Sequence, residues 1–107
     1  MSRSDRERDG GVETVVKKKD KVAHPKQYRV ILLNDDYTSM DFVVAILESI
    51  FRKSPAESVQ VMLSVHKKGS GLAGIYAKEI AEAKVEAVHS RAKDAGYPLR
   101  CAMEPED

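Results

Sequence analysis

The first aromatic residue of this 107-residue chain is Tyr28, and everything able to build a core follows it. The leading 26 residues offer only scattered valines (Val12, Val15, Val16, Val22), interrupted by Gly10-Gly11 and Lys17-Lys18-Lys19. Their burial cannot offset the roughly 1–2 kcal/mol per residue that ordering a backbone costs. The division predicts a disordered N-terminal arm over residues 1–26 and one domain over residues 27–107. About 80 ordered residues bury only ~60% of their unfolded surface, which leaves little room for a deep catalytic cavity. A multi-domain enzyme is excluded by length.

Charge follows the same boundary. The arm holds eight Lys/Arg and five Asp/Glu (net +3), the remainder ten and twelve (net −2), so the overall +1 is a cancellation. Such a balance argues against a nucleic-acid partner held mainly by charge. No stretch approaches the ~18 apolar residues of a membrane span, so no membrane partner is expected. Cys101 is the single cysteine and cannot form an internal disulfide. The charged start, Met1 to Gly11, lacks the apolar core of a signal peptide, and the expected location is cytoplasmic.

From Gln27 the pattern turns regular. Tyr28, Val30 and Leu32 alternate with Arg29 and Ile31, a strand that ends in the polar run Asn34-Asp35-Asp36. Thr38, with Asp41 three residues on, is the expected cap of a first helix, in which Phe42, Val43, Ile46, Leu47, Ile50 and Phe51 form the stripe to about Lys53. Ser54-Pro55-Ala56-Glu57 starts a second helix: a serine cap, Pro at the first position and Glu at the third. Its stripe is Val59, Met62, Leu63, Val65 and His66, and Lys67-Lys68-Gly69 stops it. Leu72 to Tyr76 reads as a second strand. Ala77 to Ala95 reads as a third helix with Ile80, Ala81, Val85 and Val88 buried and Gly96 ending it. Tyr97, Leu99, Cys101 and Met103 alternate as a closing strand. The order β-α-α-β-α-β predicts an α+β fold, a three-stranded antiparallel sheet with three helices packed on one face.

Two groups carry chemistry. Asn34, Asp35 and Asp36 follow directly on an apolar strand; their plain reading is turn formation by Asn34 and Asp36 with Thr38 capping. Met62, Val65 and His66 lie at i, i+3 and i+4 and share one helix face. A lone histidine there is ordinarily a satisfied core or cap residue. Taken together, a neutral imidazole, an amide carbonyl and a carboxylate are three acceptors, the complement of a primary ammonium with its three donors. Met40, Val43, Met62 and Val65 would floor an apolar pocket beside them.

Rival readings are weaker. Asp35, Asp36 and His66 are poorly spaced for a metal, with no HxH, HExxH or cysteine pair in support. Cys101 with His66 or His89 would be a nucleophile and base, but the cysteine falls on a strand where a small buried apolar residue is expected. Gly71-Leu72-Ala73-Gly74 matches the GxxG of an RNA-binding KH loop, which joins two helices rather than opening a strand. A small RNA- or ribosome-associated domain using the Lys17-Lys18-Lys19 arm is the alternative of another class. Neither a cofactor nor a catalytic residue is expected.

The run Tyr28 to Val44, YRVILLNDDYTSMDFVV, resembles the Clp protease adaptor family, ClpS, nearly position for position. Met62-Leu63-Ser64-Val65-His66, Gly69 to Tyr76, Glu79 to Lys84 and Pro98 to Cys101 resemble its later blocks in order. The resemblance implies a non-enzymatic adaptor that recognises proteins beginning with Phe, Leu, Trp or Tyr (N-degrons) and hands them to the ClpA unfoldase of the ClpAP protease. It assigns α-amino binding to Asn34, Asp35 and His66, and the pocket mouth to Asp36 and Thr38. Leu33, Met40, Val43, Met62, Val65 and Leu99 become the side-chain pocket, while Glu79 and Lys84 become contacts to the unfoldase N-terminal domain. The arm corresponds to an extension needed for delivery. One departure is Ser39, where the family often has proline; both suit a first helical turn, so a small stability effect is expected.

Overall fold

The structure is a computed structural model that describes residues 25–106. The arm expected to be disordered therefore lies outside the described residues except for Pro25 and Lys26. The elements are β1 (Gln27–Leu33), α1 (Met40–Ser49), α2 (Pro55–Lys68), β2 (Ser70–Ala77), α3 (Lys78–Ala95) and β3 (Arg100–Pro105). The sheet is antiparallel with the order β2-β1-β3, which puts the most apolar strand in the middle. This is the α+β architecture expected from the sequence, helices on one face included.

Alternation in β1 does the sorting. Val30 and Leu32 are fully buried toward the helices, whereas Arg29 is exposed and Ile31 only half-buried on the opposite face. Opposite Leu32 stand Gly71 and Cys101. The missing side chain at Gly71 admits α2: a Cβ there would come within 2.8 Å of Val65 Cγ2 and 3.1 Å of the Val61 carbonyl. The core adds Val43, Ile46 and Leu47 from α1, Val65 from α2, and Ala81, Val88 and Ala92 from α3.

The helix ends explain several departures. Ser39, not Thr38, caps α1, its Oγ accepting from the Phe42 N–H at 3.1 Å. Proline at that position has no side-chain acceptor, so the serine adds a bond that the sequence comparison alone undervalues. α1 stops at Ser49 rather than near Lys53, because Arg52 turns into the left-handed region (φ 56°). The freed end is held by the Lys53 N–H on the Leu47 carbonyl (3.1 Å) and by Lys84 Nζ on the Ile50 carbonyl (2.7 Å). α2 has the expected start, a reciprocal box between Ser54 and Glu57, and the expected stop at left-handed Gly69 (φ 93°).

Three stripe residues are placed differently from expectation. Val59 and Leu63 are exposed, while Ser58, Val61, Met62 and Val65 form the inner face of α2. Ile80 is about half exposed (51%), because the buried line of α3 runs through Ala81, Val88 and Ala92. The Ser58 hydroxyl is buried without a hydrogen-bond partner.

Candidate functional site

The site lies where β1 runs out. Asn34, the first residue past β1, donates its N–H to the Gly69 carbonyl at 3.0 Å, and Gly69 caps α2. One backbone bond thus ties the polar loop to the helix end that carries His66. The loop then closes on Asp35. Its Oδ1 accepts from the N–H groups of Tyr37 (2.8 Å) and Thr38 (2.7 Å), and its Oδ2 from the Thr38 hydroxyl (2.7 Å). The turn is therefore built by Asp35, not by Asn34 and Asp36 as the plain sequence reading has it, and Thr38 serves the loop instead of capping α1. Partial burial pulls the Asp35 carboxyl up, but these three bonds outweigh it and hold the group below its ordinary value.

A cavity of about 210 Å³ opens between this loop and the two helices, lined by Asn34, Asp35, Asp36, Thr38, Met40, Val43, Met62, Val65 and His66. The three residues expected to bind an amine, the two expected at the mouth and four of the six expected in the pocket are thus brought together. Leu33 and Leu99 are not in the lining: Leu33 is the half-buried last residue of β1, and Leu99 is buried in the core before β3. Glu79 is exposed in the first turn of α3. Lys84, in contrast, turns its ammonium inward to the Ile50 carbonyl and across the rings of Tyr76 (5.4 Å) and Phe51 (6.0 Å). Sequence reasoning missed two framework contacts, the Ser39 cap and the Asn34–Gly69 bond. The first had a signal, a serine just ahead of the apolar stripe; the second joins distant segments and had none.

The lining is divided by chemistry. Asn34, Asp35, Asp36, Thr38 and His66 are polar, whereas Met40, Val43, Met62 and Val65 offer only apolar surface and a soft sulfur. The lining contains two carboxylates and no lysine or arginine, which suits a cation. A cavity of about 150 Å³ accepts a benzene ring, so this one suits a single large side chain, and it is below the ~300 Å³ at which cofactor pockets begin. Among the described residues no group of three His, Cys, Asp or Glu side chains is placed to hold a metal ion, and no helix is long and apolar enough to cross a membrane.

The rival nucleophile is also placed. Cys101 is buried, its thiol pushed up to about 11 by burial, and its backbone N–H donates to His89 Nε2 at 3.0 Å. That imidazole accepts from the main chain of β3 and is bonded to the backbone, not to the sulfur. The Gly71–Gly74 segment lies within β2, so it is not a loop between helices.

Known proteins share this fold and much of this sequence. The sequence profile described as "ATP-dependent Clp protease adaptor protein ClpS" matches residues 23–102. The ATP-dependent Clp protease adapter protein ClpS of Nitratidesulfovibrio vulgaris (strain Miyazaki F) is 52% identical over 96 residues, 90% of this chain and 96% of that protein. Its counterpart in Oleidesulfovibrio alaskensis is 52% identical over 101 residues, 94% and 97% of the two chains. The solved structure of Agrobacterium tumefaciens ClpS2 bound to L-phenylalaninamide superposes with a TM-score of 0.75 at 41% identity, covering 78% of this chain and all of that one. With one fold, one profile and half the residues held in common along nearly its whole length, the chain belongs to the ClpS family of ATP-dependent Clp protease adaptor proteins.

Proposed function

We propose that the chain is a cytoplasmic, non-enzymatic adaptor that binds proteins through a bulky hydrophobic N-terminal residue (Phe, Leu, Trp or Tyr) and delivers them to the ClpA unfoldase of ClpAP. The observation that carries this reading is the divided cavity: acceptors on one wall, apolar surface on the other, and room for one side chain. An N-terminal residue is the part of a protein that offers an ammonium and a side chain on the same carbon. Asn34 Oδ1, Asp35 Oδ2 and a neutral His66 nitrogen accept from the three ammonium protons. Asp36 and Thr38 shape the mouth, and Met40, Val43, Met62 and Val65 receive the side chain. The relative bound to L-phenylalaninamide supports the reading, since that ligand has this combination.

Delivery rests on the family resemblance. Glu79 is exposed and free to meet the unfoldase N-terminal domain; Lys84 would join it from an ammonium already bonded to Ile50, so its contact is the weaker half of that pair. Fluorescence anisotropy with a labelled Phe-initiated peptide tests recognition. Binding by the unaltered chain and its loss in His66→Ala are expected, and full affinity in that variant would remove His66 from the site. Degradation of the same peptide fused to a stable protein, by ClpAP with and without the chain, tests delivery. Faster degradation is expected, and no change would confine the function to binding.

A further inference from the structure

Five of the six aromatic side chains lie in or against the core. Phe51 is buried, and Tyr28, Phe42, Tyr76 and Tyr97 pack on the core cluster, with Phe42 stacked near Tyr97 at 4.8 Å between centroids. Tyr37 is the exception, 78% exposed and the most exposed large apolar side chain among the described residues. A floppy loop would make this unremarkable, but the base of Tyr37 is pinned. Its own N–H and that of Thr38 both end on Asp35 Oδ1. Its chain neighbours, Asp36 and Thr38, both line the cavity.

We propose that Tyr37 forms a second subsite, a platform at the rim of the cavity for the side chain of residue two of the bound protein, favouring aromatic or arginine side chains. The inference rests on the N-terminal recognition proposed above. With residue one seated, the next Cα is only ~3.8 Å further on, and in an extended chain its side chain points the opposite way, out of the cavity and over its rim. An exposed phenol ring offers a π face for stacking or for a guanidinium. Asp36, exposed beside it, adds attraction for a cation and repulsion for Asp or Glu.

The test compares the full chain with Tyr37→Ala and Tyr37→Phe by competition anisotropy against L-phenylalaninamide and the dipeptide amides Phe-Ala, Phe-Phe and Phe-Arg. The unaltered chain should prefer Phe-Phe and Phe-Arg to Phe-Ala by roughly three- to ten-fold. Tyr37→Ala should abolish that preference while leaving L-phenylalaninamide, which has no second residue, at unchanged affinity, and Tyr37→Phe should keep it. An intact preference in Tyr37→Ala would overturn the platform. So would an equal weakening of all four ligands, the mark of a residue that merely holds the loop. Failure of L-phenylalaninamide to bind the unaltered chain would overturn the recognition reading itself, a result distinct from both.

Discussion

The two walls of the cavity are made in different ways. The polar wall is local: Asp35 fastens Tyr37 and Thr38, all within three residues, and a single backbone bond from Asn34 to Gly69 brings in the α2 end that carries His66. The apolar wall is tertiary, since Met40 and Val43 come from α1, Met62 and Val65 from α2, and α2 sits where it does because Gly71 lets Val65 close on β2. The comparison teaches that charge recognition and side-chain fit fail separately. Changes in the loop should abolish binding of an amine with modest loss of stability, whereas changes behind the apolar wall should unsettle the fold and alter selectivity.

The largest effect is expected at Asp35. Asp35→Ala removes the carboxylate proposed to meet the ammonium and the acceptor for three loop bonds. Affinity for a Phe-initiated peptide should fall by about 30-fold or more, as for a charged hydrogen-bonding partner worth ~2–5 kcal/mol. Anisotropy titration beside a thermal melt checks this, and retained affinity would sever the polar wall from recognition. Second comes Gly71→Ala, whose new methyl meets Val65 and the Val61 carbonyl. Overpacking of that kind costs about 1–3 kcal/mol, and urea unfolding should show it; an unchanged midpoint would mean that α2 is not set by this contact.

Acidification acts on the polar wall alone and more gently. It does so through the Asp35 carboxylate. The folded Asp35 carboxyl is held below its ordinary value, so its contribution is present above the unfolded value near ~3.9 and is lost as the pH falls through the lower folded value. Smallest of all is Ser58→Ala. Removing a buried hydroxyl without a partner should leave stability unchanged or slightly raised, and a loss above about 1 kcal/mol in urea unfolding would show that the hydroxyl is satisfied in solution.

The same contrast explains what could be read from the sequence. Element order, the α2 cap and stop, and all nine residues that line the cavity, out of eleven expected there, rest on period, capping chemistry and family pattern, all of which are linear information. Capping rules place the start of α1 one residue early because Thr38 and Ser39 are both good caps, and only the competing bond from Thr38 to Asp35 decides between them. Val59, Leu63 and Ile80 read as inward in the sequence yet are exposed, because periodicity marks an apolar stripe without fixing which of its edges meets the sheet. Leu33 directly precedes the polar loop and Leu99 is assigned by the family pattern alone, yet half-burial at the end of β1 and burial in the core keep them out of the cavity lining. The inward turn of Lys84 depends on Ile50, 34 residues away, and no local pattern encodes it.

The central claim is that the polar wall reads a free α-ammonium while the apolar wall reads the side chain beside it. The direct measurement is the affinity of one Phe-initiated peptide with its α-amine free and acetylated, which leaves the side chain intact and removes the charge and two donors. The account predicts a loss on the order of 100-fold, about 2.7 kcal/mol, on acetylation. Equal affinity for the two forms would contradict it.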